Sequence, residues 1–244
     1  MPGFQTQLAG YRQDVSEDIA IYAAHIQKSA QLRYGARGEE VTALFLAELR
    51  AQTQRIPGVL AVAAYEMLGG NDRHMILRAA TALEMMHAYI CILESRQKDG
   101  KVAPTNDLLE AGIIGMHAAQ MLFAGLSADP ELKVKVLGIV NLAMVVAGHG
   151  RVTDQEDPLV VIEWKTANHL TLNPLCVGMV LARADCHDTD AIRAYALHLG
   201  IAVASSDTER KSYARRANEA LASAPTHWNG NQVSFLKDFA LHYV

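Results

Sequence analysis

The stretch Leu77 to Asn106, LRAATALEMMHAYICILESRQKDGKVAPTN, decides how this chain is read. From Leu77 to Leu93 it has no Gly or Pro, and its charges are limited to Arg78 and Glu84. Small residues (Ala79, Ala80, Ala82, Ala88) alternate with Leu, Met, Ile and Tyr, which predicts one long helix buried on most sides. Beyond Leu93, Glu94, Ser95, Arg96, Gln97, Lys98 and Asp99 place polar groups at the mouth of whatever this helix lines. Polar groups around an apolar lining make a ligand site.

The totals agree with an all-α protein. Half of the 244 residues are hydrophobic but only 6% are aromatic, so the core is built from Ala, Leu, Val, Ile and Met, the residues of closely packed helices. A formal charge of -4 and a pI near 6.2 give no general field for nucleic acid or an anionic membrane. Cys91, Cys176 and Cys186 make no disulfide framework, and the histidines do not pair with them at zinc-finger spacing, which points to a reducing cytoplasm. The start, MPGFQTQLAGYRQDV, is not built like a secretory signal. The uncharged run Ala111 to Ala128 nears membrane-spanning length but contains His117, Gln120 and Ser127, so it reads as a buried helix and no membrane span is expected.

Punctuation divides the chain into about ten helices. The first covers Asp14 to Arg33, with Val15, Ile19, Ile21, Tyr22 and Ile26 inward; Gly35 and Gly38 break it from a second, Glu39 to Gln52. Pro57-Gly58 opens a third, Gly69-Gly70-Asn71-Asp72 ends it and caps the central helix, and Pro104 to Asp107 opens the next. Asp129-Pro130 starts a helix that Gly148-His149-Gly150 closes, and Pro158 to Ala184 is helical with a break at Asn173-Pro174. Helices over Asp188 to Ser206, Thr208 to Ala222 and Gln232 to Tyr243 complete one bundle spanning 1–244, with no repeat, linker or strand pattern.

Few residues carry chemistry by spacing alone. Glu84-Met-Met-His87 puts a carboxylate and an imidazole on one helical face, but a di-iron bundle needs a second such pair, so this one reads as structural. Asp185 to Asp188, with Cys186 and His187 between, reads as a solvated turn with a capping Asp. No nucleophile elbow, phosphate-binding loop or dinucleotide fingerprint is present. The basic groups Arg96/Lys98/Lys101 and Arg210/Lys211/Arg215/Arg216 read first as solvated surface. Lys165-Thr166 stands out because an apolar run follows it and a buried lysine needs a partner.

Taken together, six segments resemble the trans-isoprenyl diphosphate synthases (polyprenyl synthetases) in order and spacing across nearly the whole chain. They are Arg55-Ile-Pro-Gly-Val-Leu with Ala64 to Gly70, Ala82 to His87, Pro104-Thr-Asn106, Gly148-His149, Lys165-Thr166 and Leu199-Gly-Ile-Ala202. The resemblance implies a helical bundle of the isoprenoid-synthase type around a central apolar pocket, with two aspartate-rich motifs at its mouth. Their carboxylates would hold Mg²⁺, which suits oxygen ligands and neutralises the departing diphosphate. Here the first motif reads Glu94-Ser-Arg-Gln-Lys98 and the second Asp207-Thr-Glu-Arg-Lys211, so Glu94 and Asp207 are the residual carboxylates. No cofactor is expected, with Mg²⁺ only if those carboxylates suffice.

The same resemblance implies substrate contacts at Arg55, His87, Arg96, Lys98, Lys165, Thr166 and Lys211, with Tyr89 as the floor that limits chain length. It implies a prenyl diphosphate or other isoprenoid as ligand, and a homodimer or a heterodimer with an active synthase. Three readings stay open: a non-catalytic subunit or prenyl diphosphate binder, a prenyltransferase in which basic residues replace Mg²⁺, and a helical interaction protein whose pocket has filled in.

Overall fold

The structure is a computed structural model that describes residues 3–95, 106–153, 156–184 and 186–243. Those residues are helical with short connections and no strand. Helix α1 spans Phe4–Ala51. It starts well before Asp14 because Leu8, Tyr11, Val15 and Ile19 recur at helical spacing and are all buried, extending the inward face toward the N-terminus. Of the residues expected inward, Ile21 is instead exposed. The expected break is a single residue: Gly35 takes φ 68° and ψ -164°, open to Gly alone, and the helix resumes at once.

Helices α2 (Ile56–Met67) and α3 (Arg73–Ser95) form the centre. Every residue of α2 except Glu66 is buried. Asp72 Oδ1 accepts from the Met75 N–H at 2.9 Å and caps α3 as its sequence predicts. Helix α4 (Asn106–Ala124) packs on α1 and α3, and α5 (Pro130–Val152) lies beside it. Helix α5 continues through the glycines expected to end it, because Gly150 is packed against the following segment: a Cβ there would lie 2.8 Å from the Lys165 nitrogen.

From Pro158 the chain makes a short α6 (Pro158–Ile162), a π-helix (Glu163–Leu172) and α7 (Asn173–Leu181). The expected break at Pro174 thus becomes a widened helix upstream of it, in which the Asn173 N–H reaches back to the Asn168 carbonyl. Helices α8 (Cys186–Ala204), α9 (Asp207–Ala220) and α10 (Gly230–His242) close the bundle. One continuous hydrophobic core runs through the elements from Leu8 to Ala240.

Close backbone approach sets two of these contacts. A Cβ on Gly178 of α7 would lie 2.3 Å from the Ala61 carbonyl of α2, and one on Gly200 of α8 would lie 2.5 Å from Ala167 Cα of the π-helix. Gly178→Ala should therefore lower stability by about 1–3 kcal/mol through overpacking. Gly10→Ala, in α1 with nothing within 4 Å, should raise it by about 0.5–1 kcal/mol. Thermal midpoints of the two variants check the pair; equal shifts would contradict the packing.

Candidate functional site

Helices α3 and α5 and the π-helix meet around a cavity lined by Leu83, Met86, His87, Ile90, Val140, Ala143, Met144, His169 and Asn173. It is the central apolar cavity, yet it measures only ≈ 10 Å³, about the size of one water molecule. The thioethers of Met86 and Met144 and the stacked rings of His87 and His169, with centroids 5.6 Å apart, take up the rest of the space. Two buried polar atoms on this lining, His87 Nδ1 and Asn173 Nδ2, make no hydrogen bond to protein, while His169 meets the Lys165 main chain.

One turn from His87, Glu84 has no exposed surface. Its Oε1 accepts from the Gly58 N–H at 2.8 Å, and Oε2 lies 3.5 Å from Arg55 Nη1. Arg55 caps α2 with φ 51°, a left-handed conformation rare outside Gly, Asn and Asp. That conformation turns its guanidinium inward, where Nη1 donates to the Leu49 carbonyl at 2.8 Å and Nε to Ser16 Oγ at 3.2 Å. Arg55 therefore sits inside the bundle and joins helices. Glu84 and His87 share a helix but not partners: His87 Nε2 lies 3.7 Å from Cys91 Sγ and its ring faces His169.

The other candidates are spread out. Tyr89 lies against α4, where a Cβ on Gly112 would be 2.9 Å from its ring, and Ile90 rather than Tyr89 lines the cavity. Lys165 and Thr166 are half-buried on the π-helix, so Lys165 is not the fully buried lysine its surroundings predict. Lys211 is exposed on α9, whose Arg216 stacks over Tyr213 at 5.0 Å. Arg96, Lys98 and Lys101, and with them Pro104-Thr105, lie outside the described residues. Asp188, read as part of a solvated turn, is instead buried: it accepts from Trp228 Nε1 at 2.7 Å and meets His227 Nε2 at 2.9 Å. Nothing local marked it, because both partners come from the loop before α10.

The residual carboxylates lie apart, on α9 and at the end of α3. Asp207 is exposed and paired with Arg210 at 3.2 Å, and Glu94 is half-buried at the end of α3. Among the described residues no three His, Cys, Asp or Glu side chains converge as metal ligands.

No family model matches the sequence, and no curated protein is significantly similar to it. Solved structures do match along its full length. A geranylgeranyl pyrophosphate synthase from Corynebacterium glutamicum, complexed with isoprenyl diphosphate and magnesium, has a TM-score of 0.76 at 12% identity, covering 97% of this chain and 98% of that one. The geranyl diphosphate synthase small subunit from Antirrhinum majus has a TM-score of 0.73 at 18% identity, covering 99% and 100%. A mint heterotetrameric geranyl pyrophosphate synthase, as a deletion mutant with ligands, has a TM-score of 0.72 at 19% identity, covering 95% and 98%.

The chain has the isoprenyl diphosphate synthase fold. Within that fold, several of the resembling segments have visible physical reasons. Gly200 of Leu199-Gly-Ile-Ala202 lets α8 touch the π-helix, and Thr171 of the π-helix donates to the Ala196 carbonyl at 2.7 Å. Gly69 ends α2 with φ 80°, and Gly70 sits against the Tyr65 ring, where no Cβ would fit.

The polar groups of the centre titrate in opposite directions. Burial pushes the Glu84 carboxyl up to about 7, against the pull of the Gly58 N–H and Arg55. Burial, then the Arg55 charge, pushes His87 down to about 4. Burial, His87 and Arg151 push His169 well below the ordinary value, partly offset by the Lys165 main chain. Between the ordinary histidine value of 6.5 and the ordinary carboxylate value of 4.5, the unfolded chain takes a proton at each imidazole that the folded chain refuses. The folded chain in turn holds one at Glu84 that the unfolded chain lacks. Among these three groups two protons against one leave a net proton favouring unfolding, and the lowered His198 and His242 act in the same direction, so stability should fall with falling pH by at least about 1.4 kcal/mol per unit. Glu84→Gln removes the opposing proton and should steepen the slope by about 1.4 kcal/mol per unit. Urea unfolding across this window checks both, and an unchanged slope in the variant would contradict the Glu84 assignment.

Proposed function

We propose that the chain is a non-catalytic polyprenyl synthetase-like subunit, a single helical domain that works by pairing with a second chain of the same fold: its own copy or an active prenyl diphosphate synthase. The observation that carries this reading is a contrast between inside and outside. Inside, the central cavity of ≈ 10 Å³ has no room for a prenyl chain; pockets that take small organic ligands run about 300–1,000 Å³. Outside, α4 and α5 each show an apolar face left uncovered among the described residues, that of α4 bordering an open groove of ≈ 530 Å³ against Tyr22, Ile26 and Tyr34 of α1.

On α4 that face carries Ile113, Ile114 and Met121; on α5 it carries Val134, Leu142, Val145 and Val152, all exposed. The residues recur at helical spacing, so each helix presents one stripe. Helix α5 is apolar enough to cross a membrane, as is α3, but α3's apolar stretch is 67% buried in the bundle and α5's only 28%. Exposed apolar stripes of this kind mark association surfaces. Two of the solved relatives are described as a small subunit and as a heterotetrameric synthase, which supports a subunit role. The pairing of Asp207 with Arg210 and the basic residues near Glu94 and Asp207 support loss of the magnesium-dependent step.

Sedimentation of the purified chain, alone and mixed with an active synthase from the same cell, tests the pairing. The wild-type chain should sediment as a dimer or join the synthase. Leu142→Glu with Val145→Glu should weaken association by about 2 kcal/mol or more and leave the helical signal unchanged. A chain that stays monomeric in both settings, or that instead floats with phospholipid vesicles through α5, would overturn the reading.

A further inference from the structure

We infer that the central cavity is a binding site for one water molecule, held between the two imidazoles and the Asn173 carboxamide, and that the heart of this fold is a polar node rather than a hydrocarbon site. The volume is the first argument: ≈ 10 Å³ is about one water-sized sphere. The second is the chemistry of the lining. His87 Nδ1 and Asn173 Nδ2 are buried with no protein partner, and the His169 ring, which meets the Lys165 main chain, stacks beside them. His169 and Asn173 are each only 9% exposed, so bulk water cannot serve these atoms. Buried polar atoms left unmatched carry a large desolvation penalty, and a site offering two to four such partners is where interior water is found.

The identity of the guest follows from charge and donor count. The Asn173 amide nitrogen only donates, so the guest must accept a hydrogen bond. Both imidazoles are held neutral by their surroundings, so each Nδ1 either donates or accepts according to its tautomer. Water satisfies any of these combinations. A metal ion is disfavoured because no third His, Cys, Asp or Glu joins the two histidines among the described residues.

The site is also selective. Leu83, Met86, Ile90, Val140, Ala143 and Met144 give it apolar walls that would suit a hydrocarbon. A hydrocarbon chain entering there would have to displace the water and strand His87 Nδ1 and Asn173 Nδ2, at about tenfold or more in affinity for each. The polar node thus keeps the pocket closed to prenyl chains by chemistry as well as by size. The π-helix is what brings His169 and Asn173 to this wall, since both lie on it or at its end.

Water-selective NOESY and ROESY spectra of the isotope-labelled chain test the inference. The expected result is cross-peaks with the sign of a long-lived bound water at ring protons of both His87 and His169. His169→Phe, which keeps a ring in the stack but removes both nitrogens, should reduce the His87 contact at least tenfold. Absence of the wild-type contacts, or xenon-induced shifts at the Val140 and Ala143 methyls that show a dry apolar void, would overturn it. So would an undiminished His87 contact in the variant. Because the inference rests on the cavity alone, a dry cavity would leave the α4–α5 pairing untouched, and a monomeric chain would leave the water site untouched.

Discussion

The Glu84 carboxylate lies where α1, α2 and α3 meet, and the placement of those helices depends on the bonds it makes. It holds the first turn of α2 through the Gly58 N–H, and it faces Arg55, which is tied in turn to Ser16 and Leu49 of α1. A buried ion pair is not strongly stabilising in itself, because desolvation offsets most of the attraction, but removing one partner strands a charge at about 3–5 kcal/mol. The pair therefore acts mainly to specify geometry. It requires a glycine at position 58, where a Cβ would lie 2.8 Å from Val15 and 3.2 Å from Glu84. It also requires the left-handed turn at Arg55. A second buried bond, from Thr81 Oγ1 to Asp18 at 2.7 Å, fixes α1 along α3 in the same sense.

Much of the architecture was legible in local pattern. The apolar run of α3, the Asp72 cap and the helix starts at Pro130 and Pro158 follow from period and punctuation, which act within one or two turns. What escaped depends on partners far away in sequence. Arg55 carries its charge inward because Glu84 waits there, and Asp188 is buried because Trp228 and His227 cover it. The early start of α1 was masked by Gly10 and by polar residues between Leu8, Tyr11 and Val15. The π-helix leaves little trace in residue type, since its contact with α8 is made by Ala167 and Thr171 against Gly200 and the Ala196 carbonyl, far along the chain.

The candidate site was less legible for the same reason. The residues at the cavity were visible one at a time, with His87 named and Ile90 adjacent to the residue expected as its floor. That the cavity would be almost full depends on Met86, Met144, His87 and His169 arriving from three elements at one point. The outer apolar face was hidden too. An apolar helix reads as core until its neighbours are known, and only the structure shows that one side of α5 has none among the described residues.

We propose above that this fold is kept while its condensation chemistry is not. The most direct measurement is turnover by the purified chain alone, given isopentenyl diphosphate, an allylic diphosphate and Mg²⁺, with the prenyl products extracted and identified. The expected result is no elongated product above a protein-free blank. Formation of a longer prenyl diphosphate by the pure chain, lost when EDTA removes the metal, would contradict it.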